Sequence, residues 1–453
     1  MADIKPPTTP PSQPETAAPT IQVAQKPPLV LPMPQPTVKP PQLPSRYRSD
    51  VFRNPPWQNK RRILFICHDG KPYGAQKSLE LMLRHLPADQ YHCFVSFGRS
   101  GPFYDQLSEL PNVTTLRHQR MMWVKHSQRN SLKRLGDRLS LLLNVNRVFP
   151  LLETCQQFKI DLIHTNSLVS MEGALTAKIL GIPHIWHIRE WFEEYNPRFQ
   201  LTLGDALTKQ MVHLLSSQVV CVSDIVRRQF HPWVEQDPGR YRVLYNSVDT
   251  EKLTPTPQPP NLEAPLQLAY FGRISDGKRF GDIIDALIHL KAFYPYEFPF
   301  KLWVYGEYID ERYRQHLELV ISRHQLQPYV VFCGYQNDIG ACMVGKDLVV
   351  LPSTNESFGR SIIEGMAAGI PILAAQSGGP TELFQSGHHG FFFKPKDPHD
   401  LAQQLIHIEH HRQQLADMRS NVVARAKKVF DVSVQQHQLQ ALYDELLTRS
   451  PVF

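Results

Sequence analysis

Cysteine is scarce in this chain of 453 residues, with six residues and no Cys-x-x-Cys pair. So few thiols in so long a chain exclude a scaffold built on disulfides. No run of about 18 apolar residues is present, so we do not expect a membrane-spanning helix. The first residues, Met-Ala-Asp-Ile-Lys followed by prolines, lack the apolar centre of a secretory signal. These absences together predict a cytoplasmic protein with reduced thiols.

The composition is that of a mostly globular chain with an unusual beginning. Apolar residues make up 42% and charged residues 20%, and the length allows two or three domains. Of 39 prolines, 16 fall within the first 60 residues. Residues 1–58 hold too little apolar area to offset the entropy of ordering them, so we predict a disordered, Pro-rich tail. The alternative is a docking site for proline-binding modules.

From Arg61 onward, short apolar runs alternate with helical patterns. In the first half, strands are predicted at 63–67, 93–97, 162–165, 184–187 and 219–223, with helices at 136–158, 172–180 and 200–215. In the second half, strands are predicted at 266–271, 301–305, 329–333, 347–351, 371–375 and 390–393, with helices at 280–291, 311–325, 359–368 and 397–411. Such alternation is typical of parallel sheets with crossover helices.

This pattern predicts two α/β domains in tandem. The first covers 61–247 and the second 266–425, with a linker at 248–265 between them. A C-terminal helix is expected within 426–453, with no preference for either domain. Open α/β sheets place their ligand crevices beyond the carboxyl ends of their strands, so two facing sheets would form one deep cleft. The net charge of +7 favours anionic ligands without naming one.

The most informative loop follows the predicted strand that ends near 351. Glu356 lies in this loop, Gly359 precedes a predicted helix, and Glu364 lies about one turn inside it among apolar residues. The free N–H groups of a helix start form a site for phosphate, and a glycine there lets a ligand approach the backbone. A carboxylate accepts two hydroxyl hydrogen bonds, which suits a ribose or a sugar. The plain alternative is a capping Glu356 and a solvated Glu364.

Two further loops carry candidate residues. Arg273 and Lys278 follow the first strand of the second predicted domain, where a guanidinium and an ammonium group can hold a diphosphate by charge-assisted hydrogen bonds. Because they also neutralise a leaving nucleoside diphosphate, no metal ion is required. In the first domain, the loop 68–79 contains Gly74 but matches neither a P-loop nor a dinucleotide-binding fingerprint. His187 ends a predicted strand, where it would bond a sugar hydroxyl or serve as a structural histidine.

These loops, in this order, resemble glycosyltransferase family 4, whose members are retaining enzymes with the two-domain GT-B fold. The segment 356–371 resembles the family's E-x7-E motif, and 272–278 resembles its G-R-x-x-x-x-K loop; the resemblance covers 61–425. It implies that Glu356 contacts the donor sugar and that Glu364 binds the ribose. The implied catalytic residues are Arg273, Lys278, Glu356 and His187, and the implied donor-binding residues are Gly74, Gly272, Gly334, Phe358, Gly359 and Glu364.

The stretch 110–136 carries no acidic residue but six basic ones, with Met121, Met122 and Trp123 among them. Two interpretations stay open: a solvated loop and helix, or peripheral contact of 117–134 with anionic lipid, to which each basic residue adds about 1 kcal/mol. Nucleic-acid binding is not expected, because no recognised module surrounds the stretch. The histidines near 407–411 lie on a polar helical pattern, so no metal site is expected there.

The sequence therefore predicts a retaining glycosyltransferase that moves a sugar from a nucleotide sugar to a hydroxyl of a glycan, a lipid-linked molecule or a small molecule. It needs neither a cofactor nor a metal, and it is cytoplasmic, at the inner membrane face if the lipid contact exists. Two alternatives stay open. One is a non-catalytic scaffold of the same fold that binds a glycan or nucleotide, and the other is a sugar-nucleotide epimerase.

Overall fold

The computed structural model describes residues 55–71, 73–126, 131–192, 199–253 and 263–448. The predicted tail at 1–58 therefore lies almost entirely outside the described residues, as do residues 254–262 of the predicted linker. Within the described ranges, no helix is both long enough and apolar enough to cross a membrane.

The first half of the described chain folds around one parallel sheet. The strands of this half are β1 (Arg61–Cys67), β2 (Tyr91–Phe97), β3 (Val113–Arg117), β4 (Val124–His126), β5 (Leu162–Asn166), β6 (His184–Ile188), β7 (Phe199–Leu201), β8 (Gln218–Cys221) and β9 (Tyr241–Val243). Its helices are α1 (Gly74–His85), α2 (Pro102–Ser108), α3 (Ser131–Leu143), α4 (Phe149–Phe158), α5 (Glu172–Leu180), α6 (Asp205–Leu215), α7 (Asp224–Arg228) and α8 (Trp233–Gln236).

Seven of these strands form a sheet in the order β3-β2-β1-β5-β6-β8-β9, and every neighbouring pair is parallel. Ile63, Leu64 and Phe65 of the central strand β1 are all fully buried. Successive side chains of a strand point to opposite faces, so both faces of this sheet are covered, as is usual for parallel sheets. The remaining strands, β4 and β7, form a separate antiparallel pair.

The second half builds a second parallel sheet. Its strands are β10 (Leu266–Phe271), β11 (Phe300–Tyr305), β12 (Val330–Gly334), β13 (Leu348–Leu351), β14 (Ile372–Ala375) and β15 (Gly390–Phe393), in the order β12-β11-β10-β13-β14-β15. Its helices are α9 (Phe280–Phe293), α10 (Glu311–Arg323), α11 (Ile339–Met343), α12 (Arg360–Ala367), α13 (Pro380–Leu383), α14 (Pro398–His410) and α15 (Gln413–Arg425). The crevice of this sheet lies beyond β10 and β13.

The last helix, α16 (Val432–Thr448), returns to the first sheet. Its Gln436 Nε2 donates to the Met82 carbonyl of α1 at 2.8 Å, and the Tyr443 hydroxyl bonds His164 Nδ1 of β5 at 2.8 Å. Leu439 belongs to the same core as β1 and α1. The sequence left the docking site of this helix open, and the structure assigns it to the first domain.

The carboxyl ends of the two sheets meet. Ser223, which follows β8, donates its hydroxyl to the Ser357 carbonyl after β13 at 2.6 Å. The backbone N–H of Asp224 donates to Glu382 Oε2 at 2.8 Å. These contacts set the loops that carry the predicted chemistry against one another, as two facing Rossmann-like domains require.

Some predicted elements are wrong in their bounds. The helix predicted over 136–158 is broken: α3 ends at Leu143, a 3-10 turn follows at Val145–Val148, and α4 starts with Pro150 in its first turn. Proline lacks an N–H group and is tolerated in the first turn of a helix but not in its interior. Pro150 therefore requires a new helix to start near residue 149. Helix α6 begins at Asp205 rather than at 200. Strand β3 and helix α15 had no predicted counterpart.

Candidate active site

The loop after β13 turns at Gly359 before it enters α12. Gly359 has a φ of +98°, a left-handed value that favours glycine, and a Cβ at this position would lie 3.1 Å from Ile362. The preceding Phe358 is buried and packs against Tyr245 of the first half. The turn leaves the first N–H groups of α12 outside the helical hydrogen-bond ladder, where they carry partial positive charge.

Two of the predicted catalytic residues meet directly. Lys278 Nζ lies 2.6 Å from Glu356 Oε2, although the residues belong to the loops after β10 and β13. Both side chains are partly buried, at 29% and 17% exposure. A charge-assisted bond of this length in a partly buried position holds the carboxylate in one orientation. The adjacent strands β10 and β13 thus bring a cation and an anion to one end of the sheet.

The second glutamate of the motif has a partner that the sequence analysis missed. Arg360 Nη2 donates to Glu364 Oε1 at 2.9 Å, and Arg360 Nη1 donates to Ser78 Oγ of α1 at 2.7 Å. One guanidinium group therefore links the presumed ribose-binding carboxylate to the first domain. The available signal was the i, i+4 spacing of Arg360 and Glu364, which places both on one helix face.

The first-domain loop around Gly74 covers the basic side of the site. The Arg273 guanidinium lies over the Tyr73 ring, 6.0 Å from its centroid, and Lys77 Nζ lies 5.2 Å from the centroid of the Tyr335 ring. Both contacts join one domain to the other. A cation over an aromatic face is attracted by the ring quadrupole, so both contacts favour apposition of the two loops.

The remaining predicted glycines lie around this same end. A Cβ at Gly74 would lie 3.7 Å from Arg360 Cδ, so this glycine faces the bridging arginine. Gly272 is so close to Gly306 that a Cβ on the latter would lie 1.8 Å from the Gly272 carbonyl oxygen. Gly334 ends β12 with a φ of +67°, and a Cβ there would have no neighbour within 4 Å among the described residues.

His187 lies inside the first sheet. It is fully buried in β6, and its Nδ1 lies 3.2 Å from His164 Nε2. Its Nε2 is buried and has no hydrogen-bond partner among the described residues. Burial, together with the Arg189 charge, lowers the pKa of His187 well below its usual value, so its imidazole is neutral. Its predicted contact with the donor sugar stays a prediction.

Arg189 extends this buried polar group toward the cleft. Its Nε donates to Asn166 Oδ1 at 2.7 Å and its Nη1 to Asn246 Oδ1 at 2.5 Å, while Nη2 is buried without a partner among the described residues. Burial lowers the pKa of the Arg189 guanidinium to about 9, so it stays charged at neutral pH. The backbone N–H of Leu168 donates to Glu190 Oε2 at 3.0 Å, which ties that carboxylate to the loop after β5.

The predicted membrane contact through 117–134 assumed exposed apolar side chains, and this assumption is wrong for Met121 and Trp123. Met121 and Trp123 are buried in the core rather than exposed as wedges. Arg120 is also buried, and its Nη1 lies 3.1 Å from Glu172 Oε1 of α5. A buried guanidinium group needs such a carboxylate, and this partner lies too far along the chain to be seen in the local pattern.

Within the described ranges, no three or more His, Cys, Asp or Glu side chains lie close enough together to hold a metal ion. The predicted independence from metal and cofactor stays a prediction.

Two family models match the chain in tandem. The model described as Glycosyltransferase Family 4 matches residues 72–252, and the model described as Glycosyl transferases group 1 matches residues 256–429. Together they cover the second parallel sheet and all of the first except its central strand β1, with the loops that carry Gly74, Lys278 and Glu356.

Known proteins of similar sequence include several that are named as glycosyltransferases. The chain is 25% identical to the lipopolysaccharide core biosynthesis glycosyltransferase LpsE of Rhizobium meliloti over 273 residues, which is 58% of this chain and 73% of LpsE. It is also 25% identical to the sulfoquinovosyl transferase SQD2 of Arabidopsis thaliana, over 57% of this chain. The match spans about half of SQD2, at 51% of its length.

Solved structures of similar fold include HepE of Anabaena in complex with UDP. The TM-score is 0.69 at 24% sequence identity, and the match covers 85% of this chain and 100% of HepE. HepE has also been solved with UDP-glucose. The likeness confirms the predicted fold class, a GT-B fold with two facing Rossmann-like domains.

Proposed function

The chain belongs to glycosyltransferase family 4, and we propose that it is a retaining enzyme that transfers a hexose-type sugar from a nucleoside diphosphate sugar to an acceptor hydroxyl. The observation that carries this proposal is the Lys278–Glu356 ion pair at the carboxyl ends of β10 and β13. It puts a cation for a diphosphate and an anion for a developing sugar cation side by side.

The leaving group is stabilised by charge supplied from the protein. Arg273 and Lys278 hold the diphosphate of the donor, and the first N–H groups of α12 add their partial positive charge. Such groups are already in place before the reaction, so stabilising the negative charge that develops requires little reorganisation. They do the work that a divalent cation does in other transferases, which is why we expect no metal requirement.

Glu356 stabilises the sugar and does not attack it. Its Oε2 is held by Lys278, and a carboxylate engaged in a charge-assisted bond is a weak nucleophile. We therefore favour attack by the acceptor hydroxyl on the face from which the diphosphate departs. The bond from C1 to the phosphate oxygen breaks, the acceptor oxygen bonds C1, and the acceptor proton passes to the departing diphosphate. The anomeric configuration is retained.

Glu364 holds the ribose. A carboxylate that accepts one guanidinium N–H keeps lone pairs for two hydroxyl groups, so the Arg360 contact and a ribose contact are compatible. The complexes of HepE with UDP and UDP-glucose make uridine nucleotides the first donors to test. The acceptor, a glycan or lipid-linked saccharide, takes the first-domain side of the cleft, where Arg189 has a buried N–H without a described partner.

The decisive experiment incubates the protein with nucleoside diphosphate sugars and saccharide acceptors, and determines the anomeric configuration of the product by proton NMR. We expect a glycoside with the configuration of the donor. An inverted product would contradict the proposed mechanism. Nucleotide binding without any turnover would favour a scaffold, and isomerisation of the donor without acceptor would identify an epimerase.

Removal of metal ions tests the charge argument separately. We expect EDTA to change the initial rate by less than about twofold, because Arg273 and Lys278 replace the metal. Loss of activity that returns when Mn²⁺ or Mg²⁺ is added would show that the proposed diphosphate contacts are incomplete.

A further inference from the structure

A surface cavity of about 420 Å³ lies on the second domain. Its lining comes from the segment 385–389 between α13 and β15, from the last turns of α15, and from the π-helical turn Ala426–Phe430 that follows α15. The volume is within the range of pockets that bind small molecules. None of the lining residues belongs to the loops that carry Lys278, Glu356 or Glu364, so this cavity is separate from the proposed donor site.

The polar lining of this cavity, which we call the basic cavity, consists of hydrogen-bond donors without a carboxylate. The side chains are two cations, two imidazoles and two amides: Arg425, Lys428, His388, His389, Gln385 and Asn421. The neighbouring Glu382 does not line the cavity, because its carboxylate accepts the backbone N–H of Asp224 in the first domain at 2.8 Å. A positive lining of this kind attracts an anion and repels a cation.

Arg425 is held in place by neutral groups. Its Nε donates to the Leu383 carbonyl at 2.5 Å, its Nη2 donates to the Glu382 carbonyl at 3.2 Å, and the guanidinium lies 5.8 Å from the centroid of the Phe430 ring. Nη1 has no hydrogen-bond partner in the described part of the chain. Carbonyl oxygens fix the orientation of the guanidinium group but do not neutralise it, so its charge stays available to a ligand.

Other arginines of the same domain are neutralised by the protein. Five of them form ion pairs with carboxylates, namely Arg279, Arg314, Arg360, Arg412 and Arg419. In contrast, neither Arg425 nor Lys428 has a carboxylate partner among the residues that the structure describes. Two cations that face one cavity without a counter-charge repel each other, and an anionic ligand would relieve this repulsion.

His389 adds a neutral donor of fixed tautomer. The backbone N–H of Gln385 donates to His389 Nδ1 at 3.1 Å, so Nδ1 is an acceptor and the ring proton is on Nε2. Burial, together with the Arg425 charge, lowers the pKa of His389 below its usual value, so the ring is neutral at pH 7. Its Nε2–H group is therefore a donor that does not depend on protonation of the ring.

The charge of this lining identifies the ligand class. Two cations match a phosphate monoester, which carries a charge of about −1.5 to −2 at pH 7, better than they match a single carboxylate. The acceptor oxygens of a phosphate suit a guanidinium group, an ammonium group and an imidazole N–H together. We propose that the basic cavity binds a phosphate group, carried by a small phosphorylated metabolite or by a lipid. This goes beyond the proposed function, because binding here requires neither donor nor acceptor.

The experiment is isothermal titration calorimetry of the full chain with inorganic phosphate and with glucose 6-phosphate. Flotation with phosphatidylcholine vesicles, with and without phosphatidic acid, distinguishes a lipid phosphate from a free one. We expect saturable binding in at least one arm, and Lys428→Gln should weaken it about tenfold, as for loss of one charged hydrogen bond. Lys427→Gln is the matched control: this neighbouring lysine is exposed and does not line the cavity, so its loss should change affinity less than about twofold.

A second control separates this cavity from the donor site. Lys278→Ala removes a cation from the proposed diphosphate contacts and should leave the measured binding unchanged. Binding that Lys278→Ala weakens and Lys428→Gln does not would assign the phosphate to the donor site and overturn the proposal. Equal weakening by Lys427→Gln and Lys428→Gln would reduce the effect to general surface charge. Absence of binding in every arm would also contradict the proposal, whatever the enzyme does with nucleotide sugars.

Discussion

The two sides of the cleft hold their polar groups in different ways. On the second-domain side, the functional groups form two ion pairs, Lys278 with Glu356 and Arg360 with Glu364. Their side chains keep between 14% and 29% of their surface exposed. Such pairs are in contact with solvent, so a ligand can compete for the charged groups at moderate cost.

On the first-domain side, the polar groups are buried and mostly uncharged. His164 and His187 are fully buried and bonded to each other, and burial lowers the pKa of both well below the usual value. Arg189 is charged, but the oxygens that accept its hydrogen bonds belong to amides rather than to carboxylates. Buried polar groups of this kind are costly to leave unpaired, so they are tied to the fold.

The side chains that serve catalysis and those that serve stability therefore lie on different sides of the cleft. Substitutions on the second-domain side should change catalysis and leave the fold nearly intact, because these side chains are partly exposed at the carboxyl end of the sheet and not part of the core. Substitutions on the first-domain side should cost stability whatever they do to catalysis. Variants on each side of the cleft test the two halves of this statement separately.

The largest effect is expected at the diphosphate contacts. Lys278→Ala, and separately Arg273→Ala, should lower kcat by roughly 100-fold or more, as for removal of a preorganised charge donor. The unfolding temperature should stay within a few degrees of wild type. Lys394→Ala is the control, because that lysine is 76% exposed on the second domain and should have no effect. Near-normal turnover of both test variants would remove these residues from the mechanism.

The two glutamates should separate in kinetics. Glu356→Gln should lower kcat, because the proposed partner of Glu356 is the sugar whose charge changes in the transition state; loss of a charged hydrogen bond costs about 1.5–3 kcal/mol, roughly 10- to 150-fold. Glu364→Gln should chiefly raise KM, because ribose is held alike in ground and transition states. If calorimetry shows unchanged nucleotide affinity for Glu364→Gln while kcat falls, the assignment of roles is wrong.

The sequence predicted the parts of the site that are local in the chain. Glu356, Gly359 and Glu364 belong to one strand–loop–helix segment, and the apolar runs located β10 and β13 to within two residues. The pairing of Lys278 with Glu356 was not foreseen, because it depends on β10 and β13 being neighbours in the second sheet. Strand order is a property of the whole domain and has no local signal.

Other features were not predicted, because they depend on buried polar residues whose hydrogen-bond partners lie far away in the sequence. Strand β3 contains Thr114 and Thr115, which weaken the apolar pattern, yet both are buried. The Thr114 hydroxyl is satisfied by His92 Nε2 of β2 at 2.8 Å. Arg120 was expected near the surface, because its buried partner Glu172 follows 52 residues later and leaves no local signal. Propensity and pattern describe the chain alone, and tertiary partners override them.

Acid should destabilise the first domain through its buried histidines. Burial lowers the pKa of His92 and of His118 from 6.5 to about 4. Between these values the unfolded chain binds protons that the folded chain does not, so stability falls as the pH drops from about 6.5 towards 4 and is retained above 6.5. Each histidine contributes at most about 1.4 kcal/mol per pH unit, close to tenfold in the unfolding constant.

Urea unfolding from pH 8 to 4.5, followed by tryptophan fluorescence, measures this slope. Five of the six tryptophans lie before residue 250, and Trp57 packs on His92 at 5.0 Å. His92→Gln should reduce the slope by about one proton. His316→Gln, an exposed control on α10 of the second domain, should leave it unchanged. Equal slopes for His92→Gln and wild type would argue that His92 is not held neutral by burial.

The smallest effect is expected where the two sides of the cleft touch. Ser78→Ala removes the hydroxyl that accepts from Arg360 Nη1 but leaves the Arg360–Glu364 pair in place. The bond is only partly buried and Arg360 keeps its bond to Glu364, so the cost should be small and KM for the donor should rise about threefold with kcat unchanged. Arg360→Met should have a larger effect on KM, because it also leaves Glu364 unpaired and repelling the donor diphosphate.

The order of these two variants tests the comparison between the sides. If Ser78→Ala matched Arg360→Met, the contact between the domains rather than the orientation of Glu364 would control donor binding. If neither variant changed KM, donor binding by the second domain would not depend on its contact with the first domain. The intermediate result, a small effect for Ser78 and a larger one for Arg360, is expected because a neutral acceptor contributes less than a released carboxylate in a partly buried site.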